Sequence, residues 1–256
     1  RGLAADISIM NGQVYAGYRC GLNGGEVQFK YSLGLDEAPQ RVKLDAELSE
    51  LLTGENMVAQ LAMEFPRNQF YGTFSRTEEV TYALRDVVMS LLDERYRPVR
   101  TGTAVTVTTN GDVRGRAAPR FITGIFPGLN LTSYRYRRMT AFADYLPDGT
   151  VENDMIFNGF NYNLYVTGTT DTNRIGRYDV GLILPGPPQT PEVQHRLRQL
   201  RIPIFKMKAR IEGGQFHDEE ITYPWPTETA YKIFLENNIV YRLWLAAQKK
   251  PPRSKR

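Results

Sequence analysis

The chain has 256 residues, of which 41% are hydrophobic and 23% are charged, and its formal net charge is +4. This composition is typical of a globular protein with a sizeable core, and no apolar run approaches the roughly 20 residues that a membrane-spanning helix needs. Only two histidines and one cysteine are present, although these side chains most often perform catalysis or bind transition metals. The composition therefore favours a function of surfaces over an enzyme, and it predicts no membrane partner.

The first residues of the chain are typical of an N-terminus produced by processing. The chain begins with Arg1 in place of Met, without the charged and apolar segments of a secretory signal peptide. Its single cysteine cannot form an internal disulfide, which fits a reducing compartment or a fold without need of bridges. We therefore expect the chain in a virion or an intracellular assembly.

The first part of the chain predicts turns followed by helices. Asn11-Gly12 is typical of a hairpin turn, and the glycine-rich stretch 21–25 leads into a predicted strand, which favours a hairpin turn over a phosphate-binding loop. Two helical pieces, separated at Thr53-Gly54, are predicted by the apolar spacing of Leu44, Leu48, Leu51, Leu52, Val58, Leu61 and Ala62. A capping box at Ser75 opens a further predicted helix that ends at about Arg95.

Strands are predicted in the middle of the chain. Residues 103–109 are rich in Val and Thr, and Asn110-Gly111 predicts a hairpin turn after them. Residues 160–167 alternate, and the face predicted to be apolar holds Phe160, Tyr162, Leu164 and Val166. Asp148-Gly149 and Asn158-Gly159 are further turn signals.

The last part of the chain predicts two helices after a proline-rich linker at 185–188. The first begins at Thr190 and ends before Pro203, and the second is capped by Thr227. The apolar stripe of this second helix consists of Ala230, Ile233, Phe234, Val240, Tyr241 and Trp244. Residues 249–256 are basic and contain two prolines, which predicts an extended, solvated arm.

These elements predict an α+β fold, with a mostly antiparallel sheet and helices before and after the strand-rich middle. We expect one globular domain over 1–248, with a sub-boundary near 185–190, followed by the basic arm.

The sequence contains few motifs that are typical of enzymes. Neither a phosphate-binding glycine motif nor a nucleophile elbow occurs, and Cys20, without a neighbouring histidine, is predicted to be a small buried hydrophobe. A metal or a glycosidase reaction could use the cluster Asp144, Asp148, Glu152 and Asp154, although turn and solvated positions explain these acids without a ligand. His217 precedes three acids, but consecutive strand residues point to opposite sides and converge poorly. We predict no catalytic residue, no metal and no cofactor.

Arginine is concentrated between Arg85 and Arg138, where ten arginines meet four acidic residues. Within this segment, strand alternation predicts Tyr134, Tyr136 and Arg138 on one face and Arg135 and Arg137 on the other. Such aromatics could stack on bases while the guanidinium groups neutralise phosphates. Alternatively, the tyrosines pack and the arginines pair with acids in a sheet or subunit interface. The predicted nucleic-acid or interface residues are Tyr134, Arg135, Tyr136, Arg137, Arg138, Arg114, Arg116, Arg120, Lys249, Lys250, Arg253, Lys255 and Arg256.

Three functions stay open at this point. The leading hypothesis is a non-enzymatic structural subunit of a large assembly, most plausibly a virus or phage particle. Its partners would be copies of itself and other assembly proteins, with RNA or DNA as a further partner. The second is a nucleic-acid-binding subunit of a ribonucleoprotein. The third is a hydrolase that depends on the carboxylates of 144–154.

Overall fold

Antiparallel strands make up most of the described chain. The structure is a computed structural model, and it describes residues 3–22, 24–34, 41–52, 74–76, 79–90, 99–113, 120–184, 201–212, 215–225, 227–238, 241, 242 and 245. These ranges contain thirteen strands and two helices. The strands are β1 (Ala4–Met10), β2 (Gln13–Leu22), β3 (Gly25–Gly34), β4 (Arg41–Leu52), β5 (Phe74–Arg76), β6 (Glu79–Ser90), β7 (Val99–Val113), β8 (Tyr134–Tyr145), β9 (Val151–Gly159), β10 (Asn163–Thr170), β11 (Ile175–Ile183), β12 (Arg201–Glu212) and β13 (Gln215–Thr222). The helices are α1 (Arg120–Ile125) and α2 (Glu228–Asn237).

The strands form one sheet in which neighbours in the chain are also neighbours in space. The order is β1-β2-β3-β4-β6-β7-β8-β9-β10-β11-β12-β13, and the short β5 pairs with β7. Every pair is antiparallel. Within the described part of the chain, β1 and β13 are therefore the two edges of the sheet.

The predicted α+β arrangement is wrong, because residues predicted to be helical form β4 and β6. The sequence of β4 begins Arg-Val-Lys-Leu-Asp-Ala-Glu-Leu, and β6 begins Glu-Val-Thr-Tyr-Ala-Leu. Leucines four residues apart satisfy a helical period, but apolar residues in these stretches also recur at every second position, so the pattern alone is ambiguous. Pairing with the flanking strands β3 and β7 determines the strand conformation. The predicted helical residues 58–62 and 190–200 lie outside the described residues, while Arg201 and Ile202, predicted to end the second of these helices, belong to β12.

The prediction of a helix after Thr227 is confirmed by α2. The Thr227 side chain accepts a hydrogen bond from the backbone N–H of Ala230 at 3.1 Å, which satisfies one of the free donors at the helix start. The predicted apolar stripe is wrong at Ile233, which is 53% exposed, whereas the buried residues of α2 are Tyr231 and Leu235. Val240 and Trp244, predicted for the apolar stripe, lie outside the described residues.

The core lies under one face of the sheet, around β7–β12. Residues of α1, of the following loop and of α2 pack there, with Ile122, Phe126 and Leu129 buried together with Tyr231. Cys20 is half-buried against this cluster. Neither described helix is long and apolar enough to cross a membrane.

Several turn predictions are confirmed, and one is wrong. Asn11 and Gly12, with φ of 51° and 73°, form the tight β1–β2 turn, and both adopt the left-handed conformation that such turns require. Gly149 (φ 85°) lies in the β8–β9 turn, and Gly24 (φ 85°) lies between β2 and β3 as in a hairpin. Asn110, however, has a φ of 48° within β7, which continues to Val113 in place of the predicted turn.

Candidate functional site

The first residues of β8 hold the two tyrosines that the sequence singled out, and both are buried. Tyr134 is 7% exposed and Tyr136 is fully buried. The Tyr136 and Thr108 hydroxyls share a hydrogen bond of 2.8 Å, and the Tyr134 hydroxyl donates to the carbonyl oxygens of Phe157 and Tyr162. Burial raises the pKa of Tyr134, because ionisation of a buried hydroxyl is unfavourable. Both rings belong to the core and are not available to stack on a base.

A β-bulge at Arg137 brings three arginines to the exposed face of β8. Between Tyr136 and Arg138, the register with β9 shifts by one residue, so β8 carries one residue more than its partner strand. Arg135, Arg137 and Arg138 are all exposed as a result. The predicted alternation is therefore wrong at Arg138, which does not share the face of the tyrosines.

Phe160 lies beside these arginines, in the turn between β9 and β10. The guanidinium carbon of Arg137 is 4.8 Å from the centroid of the Phe160 ring, and that of Arg135 is 5.8 Å away. Both distances are in the range of a cation–π interaction. The prediction that Phe160 lies in a strand is wrong, because β10 begins at Asn163 and the Phe160 ring is 53% exposed.

The buried tyrosines fix the turn that presents Phe160. A Cβ atom on Gly159 would lie 2.1 Å from the Tyr134 hydroxyl oxygen and 2.1 Å from the Tyr162 carbonyl oxygen, so only glycine fits there. The Tyr162 hydroxyl donates to the carbonyl oxygen of Pro127 at 2.9 Å, which ties the turn to the loop after α1. Beside Phe160, this loop and the turn line an open surface pocket of about 330 Å³.

The arginines of β8 carry positive charge that the described residues do not neutralise by ion pairing. Among those residues, none forms an ion pair with the three arginines, although Asp112 lies opposite Arg135 in the register of β7 and β8. The basic residues of β12 are different, since each has an acidic partner: Lys206 pairs with Asp179, Lys208 with Glu220 and Arg210 with Asp218. We call Arg135, Arg137, Arg138 and Phe160 the arginine face.

The remaining predicted site residues do not extend this face in the described part of the chain. Arg120 begins α1 and is exposed. The others lie outside the described residues: Arg114, Arg116, Lys249, Lys250, Arg253, Lys255 and Arg256.

The acids of 144–154 each have a local hydrogen-bonding or structural role where the structure gives their contacts. Asp144 accepts a hydrogen bond from the Thr103 hydroxyl at 2.8 Å, and Asp148 accepts one from the backbone N–H of Thr150 at 2.8 Å. Asp154 forms an ion pair of 2.9 Å with Arg201. No group of three or more histidine, cysteine or acidic side chains among the described residues is arranged to hold a metal ion. The carboxylate-dependent hydrolase stays a prediction.

The strand β1 is the second unusual surface, and the sequence analysis did not identify it. All seven of its residues are exposed. Ile7 is 74% exposed, Ile9 is 68% exposed and Met10 is 58% exposed. Ile7 and Ile9 lie on one face of the sheet, because residues two apart in a strand share a face. The alternation of these isoleucines just before the Asn11-Gly12 turn could have indicated a strand.

Comparison of the chain with protein-family models, with curated proteins and with solved structures finds no match. The arginine face and β1 are therefore the two surfaces from which a function can be inferred.

Proposed function

We propose that the chain is a non-enzymatic structural subunit of a multi-copy assembly, such as a virus or phage particle. The observation that supports this proposal most strongly is the exposure of β1. Its two isoleucines point to solvent from the end strand of a sheet, and more than two thirds of each side chain is accessible. Contiguous apolar surface of this kind on a folded protein marks a place where another surface binds.

Burial of these side chains would stabilise an assembly substantially. Full burial of one isoleucine contributes about 1.5–3 kcal/mol, and each copy of the chain contributes two to any contact made through β1. Because closed assemblies repeat the same contact in every subunit, a modest contact per chain suffices to hold many copies together.

The molar mass of the purified chain tests this proposal. Size-exclusion chromatography with light scattering, over a range of loading concentrations, should give a mass that is a multiple of 29.2 kDa. Mass that falls on dilution would identify a reversible association, which is still an assembly. A mass of 29.2 kDa at every concentration up to the solubility limit would contradict the proposal.

A second candidate function, binding of single-stranded nucleic acid, is favoured by the arginine face. Three exposed guanidinium groups have no ion-pair partner among the described residues, so the phosphate groups of a nucleic acid could pair with them. One side of the Phe160 ring faces Arg137, and the exposed remainder of the ring can stack on a base. In an assembly, this surface would contact a packaged genome.

Substitution of Arg135, Arg137 and Arg138 together by Ser tests this second function. We expect weaker binding of a labelled single-stranded oligonucleotide, and a dependence of log K on log salt that is shallower by about 2, since three phosphate contacts are lost. Fluorescence anisotropy across a salt series measures both quantities.

The matched control is the triple substitution of Lys206, Lys208 and Arg210 by Ser, which removes the same total charge from cations that are already paired with acids. This control should bind almost as the unmodified chain does. Equal losses in both triple variants would show that only the net charge matters, and they would remove the arginine face as a specific site.

A further inference from the structure

We infer that β1 pairs antiparallel with β1 of a second copy of this chain, in a register centred on Ile7. The inference rests on the proposed assembly function and specifies one of its contacts. Its basis is a comparison of the two edges of the sheet, their charges, and the placement of the isoleucines.

The edge at β13 has several features that prevent pairing with another strand, whereas β1 has no bulge and a single charged residue, Asp6. The register of β13 shifts against β12, and Asp218 at this bulge has a φ of 52°. Three consecutive acids, Asp218, Glu219 and Glu220, further protect the strand. Bulges and charged side chains are the usual means by which proteins keep edge strands from pairing. In contrast, β1 pairs with β2 over all seven residues without a shift, and it contains no lysine, arginine or proline.

Charge favours a second β1 as the partner of β1. β13 contains no lysine or arginine, so pairing of β1 with β13 of another copy would place Asp6 beside three acids, two of which are already paired with cations of β12. In antiparallel self-pairing centred on Ile7, Asp6 lies opposite Ser8 of the partner subunit, whose hydroxyl can donate to the carboxylate. The same pairing holds around the two-fold axis, so both copies make it.

The same register brings the exposed isoleucines together. Ile7 lies opposite Ile7 of the partner subunit, and Ala5 lies opposite Ile9 of the partner subunit. All four isoleucines then share one face, which continues through Ala16 of β2 to Tyr31 of β3 in each copy. A strand of seven residues is only about 24 Å long, so this contact is smaller than a standard stable interface and acts as one of several per subunit.

Substitution of Ile7 by Lys is the first test, because a lysine on an edge strand opposes pairing. We expect the assembled species to be lost, with the mass of the main peak in light scattering reduced by at least twofold at the same protein concentration. Ile233 on α2, which is 53% exposed, provides the matched control, and Ile233→Lys should assemble as the unmodified chain does. Circular dichroism of both variants establishes that the fold is retained.

Cross-linking tests the register directly and does not depend on the stability of a lysine variant. In a Cys20→Ser background, Ile7→Cys should give a covalent dimer with a short thiol cross-linker, because the two residues are opposite each other. Met10→Cys on the same strand should not link to itself, since six residue steps separate the two copies of this position by about 20 Å.

The outcomes separate this inference from the function on which it rests. A chain that is monomeric at all concentrations would overturn both. A chain that assembles, with Ile7→Lys assembling normally and Ile7→Cys giving no covalent dimer, would overturn the pairing of β1 and leave the assembly function in place. Linkage of Ile7→Cys to Glu219→Cys of another copy, without linkage to itself, would replace the symmetric contact with a head-to-tail contact.

Discussion

Gly159 determines whether Phe160 can lie beside the two guanidinium groups. The space that a side chain would need at this position is filled by the Tyr134 hydroxyl and the Tyr162 carbonyl, and the same hydroxyl donates to that carbonyl. A larger residue would therefore have to displace a buried ring or the turn itself. The position of Phe160 thus depends on a glycine and on a buried tyrosine.

Gly159→Ala should lower the free energy of unfolding by about 1–3 kcal/mol, as overpacked sites usually do. It should also weaken oligonucleotide binding, since Phe160 moves. Urea denaturation gives the first quantity, and anisotropy gives the second. Gly124 of α1 is the matched control, because a Cβ there meets no atom within 4 Å and alanine suits a helix. If Gly159→Ala is as stable as Gly124→Ala, the turn is not fixed as the structure indicates.

Sequence reasoning placed Arg135 and Arg137 together on one face of a strand, and it could not place Arg138 or Phe160. Strand alternation assumes an uninterrupted register, whereas the bulge at Arg137 arises from how β8 aligns with β9. The sequence of residues 134–138 alone does not indicate how β8 aligns with β9. Phe160 was assigned to a strand because it continues an alternating pattern, although its neighbours Gly159 and Asn161 are typical turn residues.

Among the elements, α2 and the β1–β2 turn were predictable because their signals are local. The Thr227 cap accepts a hydrogen bond from a backbone N–H only three residues ahead, and the β1–β2 turn is set by the two adjacent residues Asn11 and Gly12. By contrast, β4 and β6 have sequences that fit two periods, and their conformation depends on pairing with the neighbouring strands β3 and β7. Pairing with another strand leaves no unambiguous pattern within the strand itself.

Thr227→Ala should destabilise the protein by about 1 kcal/mol, because the free N–H of Ala230 loses its acceptor. Thermal or urea unfolding followed by circular dichroism measures this loss. Thr229, an exposed residue in the first turn of the same helix, provides the control, since alanine at this position should be neutral or slightly stabilising. Equal stability of the two variants would contradict the role of Thr227 as a cap.

The strands of the sheet differ in how much of their surface other parts of the molecule cover. Strands β7–β12 are covered by helices and a loop and hold the core, whereas β1 is exposed along its whole length. The far edge, β13, is protected by acids and a bulge. A protein that needed no partner at β1 would be expected to protect both edges in the same way. This asymmetry is the structural basis of the proposed assembly function.

The sharpest test of assembly through β1 is the molar mass of the unmodified chain, measured by light scattering beside Ile7→Lys and Ile233→Lys at matched concentrations. We predict a multiple of 29.2 kDa for the unmodified chain and for Ile233→Lys, and a smaller species for Ile7→Lys. A single species of 29.2 kDa for all three proteins, at every concentration, would contradict it.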